Sequence, residues 1–427
     1  MKRVVITGIG VIAPSAVGAA GFWSLLTSGR TATRGITLFD ASGYRSQVAA
    51  EVDFDPAAHG FTLADTERLD RVAQFALVSA REAIADSGLD DATDTRAETR
   101  ALRTGVSLGS AIGCTTAMAT QYAILSDFGS TWTVDHTRAG AFLYDYVVPS
   151  SLAAVVARDI GAQGPVGLIS SGCTSGLDAI GHGADLIREG SADIVVAGGA
   201  EAPISPITMA CFDRMRLTSP RNDDPTTACR PFDRTRDGFV LGEGAAVLVL
   251  EELEHARRRG ARAYAELSGY AALSSAHHMT GLRPGGQEMA AAIRAALDEA
   301  RLNPVDVEYV NAHGAGTRPN DRHETHAIKA GLGDHARSIP ISSIKSMIGH
   351  ALGAAGALDV AASALAIQHD TVPPTANLRQ PDPTCDLDYT PLIARQMRTS
   401  TVLSVASGFG GFHSATVLTQ PQLKQAV

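Results

Sequence analysis

One cysteine, two histidines and a lysine stand where apolar runs end in small residues. Cys173 lies in Ser171–Gly172–Cys173–Thr174–Ser175–Gly176. An apolar run from Pro165 precedes it, and Leu177, Ile180, Ala184 and Ile187 follow at helical spacing. This predicts a strand-to-helix turn with the thiol beside the first amides of the helix. Those amides and the helix dipole favour an anion, so a lowered thiol pKa and a thiolate nucleophile are expected. An inert buried thiol is the competing reading of this stretch taken alone. His313, in Asn311–Ala312–His313–Gly314, and His350, in Lys345–Ser346–Met347–Ile348–Gly349–His350, close two further runs beside glycine. A neutral imidazole can donate a hydrogen bond to a developing enolate or oxyanion, or shuttle a proton. Each histidine taken alone fits a structural role better than a catalytic one, and the pair at Gly-flanked strand ends shifts the reading toward function. Lys345 is one of four lysines and sits in apolar surroundings. A buried lysine needs a partner, and Glu324 is the best candidate. His323, Glu324 and His326 do not have HExxH spacing, so no metal is expected.

The elements that position these residues alternate between strand and helix. Strands are expected over residues 3–12, 105–110, 193–200, 245–250, 263–270, 307–314, 402–412 and 414–418, and over the runs entering Cys173 and His350. Helices are expected over 65–88, 251–260, 286–301 and 352–367, the last with Asp359 as its one charge. Residues 90–103 and 213–238 read as loops. Residues 111–163, with Trp132, Phe142, Tyr144 and Tyr146, are less regular and fit a pocket wall, an oligomer contact or plain core. The second half repeats the first. The strand to Ser110 matches that to His313, the turn at Cys173 matches that at His350, and the run to Gly199 matches that to Gly411. The fold class is therefore α/β, in two duplicated halves, 1–251 with the cysteine and 252–427 with both histidines. Mixed, mostly parallel sheets should surround buried helices. If the halves are related by a pseudo-twofold, Cys173, His313 and His350 converge.

Composition excludes several classes. A net charge of −9 argues against nucleic acid. Five scattered cysteines without CxxC spacing fit reduced, cytoplasmic thiols. The N-terminus enters directly into a strand pattern, with no signal segment, and the apolar 352–367 helix is too short to span a membrane. Gly8 and Gly10 match a dinucleotide fingerprint on paper, but Pro14 falls inside the helix that motif requires and no acidic residue follows at the right distance.

The three segments around Cys173, His313 and Lys345–His350 resemble the signatures of the β-ketoacyl synthases, decarboxylating condensing enzymes of the thiolase fold. Gly238–Phe239–Val240–Leu241–Gly242–Glu243–Gly244 and Gly408–Phe409–Gly410–Gly411 also resemble that family, and the similarity runs nearly end to end. Within it, residues 318–325, 278–282 and 221–225 are similar to the ketosynthase-α subunits of bacterial type II aromatic polyketide synthases. The resemblance implies a five-layer αβαβα fold. It implies that Cys173 takes an acyl chain from a carrier thioester and that His313 and His350 stabilise the enolate formed when a malonyl-carrier thioester loses CO2. It further implies an oxyanion hole at the amides of Cys173 and Phe409, with Phe409 gating the pocket. Support for the histidines is implied from Lys345 held by Glu324, and substrate contact from Thr317. No metal or organic cofactor is implied, because substrates arrive on phosphopantetheine arms. The implied partners are an acyl carrier protein, docking near Arg68, Arg71, Arg214 and Arg216, and a chain-length-factor homologue in a heterodimer, otherwise a second copy in a homodimer. Neither nucleic acid nor membrane is implied. A fatty-acid elongating synthase and a non-catalytic chain-length-factor-like subunit are the alternatives; the second lacks the nucleophilic cysteine. Ala315 and His413 depart from the hydroxyl and amide residues usual at their positions.

Overall fold

A computed structural model describes residues 2–89, 97–131 and 133–421. Ten strands form the continuous path of an eleven-stranded sheet, whose remaining strand, Ala16–Val17, pairs only with the first: β1 (Val4–Ala13), β2 (Thr104–Gly109), β3 (Val166–Ile169), β4 (Ile194–Glu201), β5 (Gly244–Glu252), β6 (Ala265–Ser274), β7 (Tyr309–Asn311), β8 (Ile341–Ser342), β9 (Thr401–Gly408) and β10 (Phe412–Thr419). The first five run in the order β3-β2-β4-β5-β1 and the last five in the order β8-β7-β9-β10-β6. Numbered within each half, both orders are 3-2-4-5-1, so the duplication read from motif positions holds at the level of topology. The halves join through an antiparallel contact of β1 with β6, where Val5 faces Glu266 and Ile6 faces Ala265.

The pairing is mixed, as expected, with parallel contacts confined to one end of each half. β2 has parallel neighbours on both sides, and β7 does likewise. The fourth, fifth and first strands of each half are antiparallel. The glycine run at 408–411 is the reason in the second half. It is a tight hairpin turn, with Gly408 opposite Phe412, and a hairpin makes its strands antiparallel.

Helices cover the sheets in layers. α1 (Arg71–Ser87) packs on the outer face of the first half. α2 (Ser175–Arg188) and, from the second half, α6 (Ala355–His369) pack on each other between the halves. α4 (Gln287–Ala300) and α5 (Arg318–Leu332) cover the other outer face, while α3 (Pro206–Arg214) lies near the site. α6 is buried from Ala355 to Ile367, as its small residues all round require. The central core brings Leu177, Ile180 and Ile187 of α2 against Leu358 and Leu365 of α6. Each such side chain contributes about 1.5–3 kcal/mol on burial. Gly8 and Gly10 serve this packing: a Cβ at Gly8 would lie 2.1 Å from Ala83 O, and one at Gly10 1.9 Å from Ser79 O. They seat α1 on β1.

Three local expectations change. The 65–88 helix is broken, because Asp70 leaves helical geometry and caps α1 by accepting from Val72 N at 3.0 Å. Part of the expected 90–103 loop is helical, over Ala97–Leu102, while 90–96 fall outside the described residues. The 111–163 segment contains helices Thr115–Leu125, Leu143–Val147 and Ser151–Asp159. Tyr144 is exposed there, Phe142 borders on it, and Trp132 lies outside the described residues. No helix among the described residues is long and apolar enough to cross a membrane.

Candidate active site

Cys173 is the middle residue of a single 3₁₀ turn, Gly172–Thr174, directly before α2. Gly172 has φ 64°, a left-handed geometry that suits glycine. The turn is tied down from within: Ser175 Oγ donates to Gly172 O at 2.6 Å, and Thr174 Oγ1 to Ser171 O at 3.0 Å. Asp178, in the first turn of α2, accepts from Thr174 Oγ1 at 2.7 Å and from the hydroxyls of Ser171, Tyr270 and Ser414. One carboxylate therefore fixes the elbow to the second half. The 408–411 turn lies against the elbow, where a Cβ at Gly408 would sit 3.2 Å from Cys173 N.

The amides of Phe409 and of Cys173 itself favour the ionised form of the thiol. Burial nevertheless pushes it up to about 12, against the pull of the Lys345 charge and those amides. The expected resting thiolate is corrected on this point. Desolvation outweighs the helix terminus, and Cys173 rests protonated.

His313 follows β7 and is held by carboxylates of α5. Glu324 Oε1 accepts from His313 N at 2.6 Å and Oε2 from Gly314 N at 2.8 Å. Asp321 accepts from Gly316 N at 3.1 Å and Phe232 N at 2.9 Å, and pairs with Arg236. Thr317 caps α5, accepting from Asn320 N at 3.3 Å, and also borders the cavity. His350 is fixed through its backbone to the glycine-rich 238–244 segment: its N–H donates to Val240 O at 2.8 Å, and its carbonyl accepts from Gly242 N at 3.0 Å.

The two imidazoles meet edge to face, with centroids 5.1 Å apart at 85°. Neither Nδ1 has a hydrogen-bond partner. Burial, reinforced by Lys345, holds His350 down to about 3 and His313 well below its ordinary range, so both rings are neutral. Phe239 packs edge-on to His350 at 5.5 Å. Cys173, His313, His350, Phe239, Thr317 and Phe409 line one cavity of about 180 Å3. Its walls are otherwise largely apolar.

Lys345 does not pair with Glu324. Its Nζ lies 2.7 Å from Asp359 Oδ2, on the buried central helix α6. Both Glu324 oxygens are already taken by the His313 and Gly314 amides, and that carboxyl is pushed up to about 8 by burial. Sequence reasoning also missed Glu201, fully buried at the end of β4. The available signal was an acidic residue inside an apolar element, at Glu201 and Asp359 alike.

Ala315 sits in an apolar cluster with Phe239 and Leu352 at the cavity wall. His413 is buried outside the cavity lining, stacked on His323 at 5.3 Å with Nδ1 3.2 Å from Ser407 Oγ. Among the docking arginines, Arg71 is corrected. It binds Glu243 through Nε at 2.9 Å and Nη2 at 2.6 Å and lies over the Phe75 ring, so it is a structural residue. Arg68 pairs with Asp145 at 3.3 Å. Arg214 and Arg216 are exposed at the end of α3, whose Phe212 borders the cavity. No group of three or more His, Cys, Asp or Glu among the described residues is placed to hold a metal.

A thiol at a helix start, facing two neutral imidazoles and two convergent amides, defines a site for acyl transfer through a thioester. Residues 1–256 match the model of the β-ketoacyl synthase N-terminal domain and residues 264–379 that of its C-terminal domain. The chain is 61% identical over 421 residues to the tetracenomycin polyketide synthase ketoacyl synthase alpha subunit of Streptomyces glaucescens, covering 99% of this chain and 98% of that protein. It is 42% identical over 420 residues to 3-oxoacyl-[acyl-carrier-protein] synthase 2 of Coxiella burnetii, covering 98% and 99%. Among solved structures it superposes on a type II polyketide synthase acyl-carrier protein in complex with its ketosynthase bound to the hexaketide, with a TM-score of 0.91 and 38% identity over 98% of this chain and 100% of that one. The ishigamide ketosynthase/chain length factor gives a TM-score of 0.89 and 33% identity over 99% and 100%. The chain belongs to the β-ketoacyl synthase family, the acyltransferases that condense acyl units with formation of a carbon–carbon bond.

Proposed function

We propose that this chain is the catalytic ketosynthase subunit of a type II polyketide synthase, extending a Cys173-bound chain by malonyl units. The observation that carries the reading is the meeting of the Cys173 thiol with the Phe409 amide and the neutral His313 and His350 rings in one cavity. The 61% identity to a polyketide ketosynthase, against 42% to a 3-oxoacyl synthase, favours the polyketide branch over fatty-acid elongation. Retention of the cysteine and both histidines argues against a chain-length-factor-like role.

The geometry supports two stages. In the first, the Cys173 proton passes to a neutral imidazole as sulfur attacks the acyl-carrier thioester. The oxyanion accepts from the amides of Cys173 and Phe409, and the carrier thiol leaves with a proton. In the second, a malonyl-carrier thioester loses CO2. The electron pair of the breaking bond forms an enolate, whose oxygen accepts hydrogen bonds from His313 and His350. Its carbon attacks the Cys173 thioester, and the expelled thiolate takes up one proton. Donors of this kind are worth about 100- to 1000-fold each in rate. Decarboxylation supplies the electrons, so the reaction calls for no metal or organic cofactor, and the substrates travel on phosphopantetheine arms. The carrier protein and a chain-length-factor subunit are the partners, by likeness to the two solved assemblies. Five free thiols suit the cytoplasm.

The test is reconstitution with malonyl-carrier protein, with and without a chain-length-factor-like subunit, followed by product mass. A poly-β-keto chain formed only when both subunits are present is expected. Single two-carbon extension by this chain alone would point to the fatty-acid reading.

A further inference from the structure

The duplicated fold has a second elbow. Gly353 is the middle residue of the turn Leu352–Ala354 directly before α6, as Cys173 is of the turn Gly172–Thr174 before α2. At Cys173 the neighbouring group is the Phe409 amide, just after the fourth strand of the second half. At Gly353 it is Glu201, the last residue of the fourth strand of the first half. Glu201 Oε2 accepts from Gly353 N at 2.9 Å and Ala111 N at 2.6 Å. Its Oε1 accepts from Ser110 Oγ at 2.8 Å and Ile112 N at 3.3 Å. The carboxylate is fully buried. One elbow thus keeps its amides open to the cavity, and the other has its amides filled by an anion of the chain itself.

We propose that Glu201 is a positioning residue for condensation: its carboxylate occupies the pseudo-symmetric counterpart of the Cys173 oxyanion hole and so fixes the Leu352–Gly353 turn against the reaction cavity. Leu352 lines that cavity and is held at φ 39°, a geometry that costs a non-glycine residue energy and persists only under constraint. Gly353 has no room for a side chain, since a Cβ would lie 2.3 Å from Ala111 N and 2.5 Å from Glu201 Oε2. His350 stands two residues before Leu352 on the same short stretch. Without the carboxylate, three N–H groups and one hydroxyl lose their acceptor, Leu352 relaxes, and the His350 ring and cavity wall move together.

The proposal rests on the condensing reading, and the native chain's own turnover separates the two. If the native chain does not condense, that reading fails instead. Given native turnover, kcat and KM are measured for Glu201→Ala and Ser110→Ala, each with and without formate. Glu201→Ala should lower kcat by about 100-fold, the loss expected from a misplacement of about 1 Å, with KM for the malonyl carrier little changed. Formate, which can refill the hole, should restore turnover in Glu201→Ala and leave the native chain unaffected. A folded Glu201→Ala that turns over like the native chain, or a loss that formate does not recover, overturns the proposal. If Glu201→Ala does not fold, Ser110→Ala decides: a lowered kcat at unchanged KM supports it, and native turnover overturns it.

Discussion

Lys345 Nζ lies 2.7 Å from Asp359 Oδ2, with both side chains excluded from solvent and Asp359 Oδ1 left without a partner. Asp359 holds the Lys345 ammonium in place behind the site. That charge lowers the affinity of His313 and His350 for protons and pulls the Cys173 thiol toward ionisation. Burial opposes it at Cys173 and reinforces it at the histidines. The site therefore rests with a protonated sulfur and two neutral rings.

Breaking the pair from one side should be costly. Asp359→Asn leaves an uncompensated buried ammonium, and a loss of about 3–5 kcal/mol is expected. Urea unfolding measures it. Lys345→Met together with Asp359→Asn should recover part of that loss, since no buried charge remains unpaired. Additive losses in the double variant would show that the pair does not act as a unit.

Stability should peak in mildly acidic solution. His350 at about 3 and His413 at about 4 lie below the unfolded value of 6.5. Their contributions are present above pH 6.5 and are lost as pH falls through the folded values. Glu201 at about 7 and Glu324 at about 8 lie above the unfolded value of 4.5. Their contributions are present below pH 4.5 and are lost as pH rises through the folded values. Between those limits the two sets oppose each other, and above 6.5 only the carboxyls act. Glu324 alone should cost about 2 kcal/mol between pH 6.5 and 8. Thermal unfolding against pH should show that fall in the native chain and only the smaller Glu201 part of it in Glu324→Gln.

The four docking arginines should separate by assay. Arg71→Glu removes the partner of the buried Glu243 and should destabilise the fold by about 3 kcal/mol or more. Arg214→Glu with Arg216→Glu touches only exposed positions, so unfolding should shift by less than about 0.5 kcal/mol. The same double reversal should raise KM for the carrier and flatten its salt dependence. Unchanged carrier kinetics would remove the end of α3 from the docking surface.

The cysteine and both histidines were legible because each ends an apolar run beside small residues, a local pattern. The equivalence of the two halves followed from the repeat of those runs, and the strand order within each did not. What failed was long-range. Choosing between Glu324 and Asp359 for Lys345 requires knowing that Glu324 is already consumed by the His313 and Gly314 amides. Arg71 looked like a surface charge because its partner Glu243 is distant in sequence. The thiol pKa had its sign wrong because the helix terminus is visible in sequence and the depth of burial is not.

The central claim is that the growing chain is carried on Cys173 sulfur. The direct measurement is peptide mass after incubation with an acyl-carrier thioester and no malonyl substrate. The account predicts the acyl mass on the peptide containing Cys173, absent in Cys173→Ala and released when malonyl carrier is added. Acyl mass on another cysteine, or an unlabelled native chain that still condenses, would contradict it.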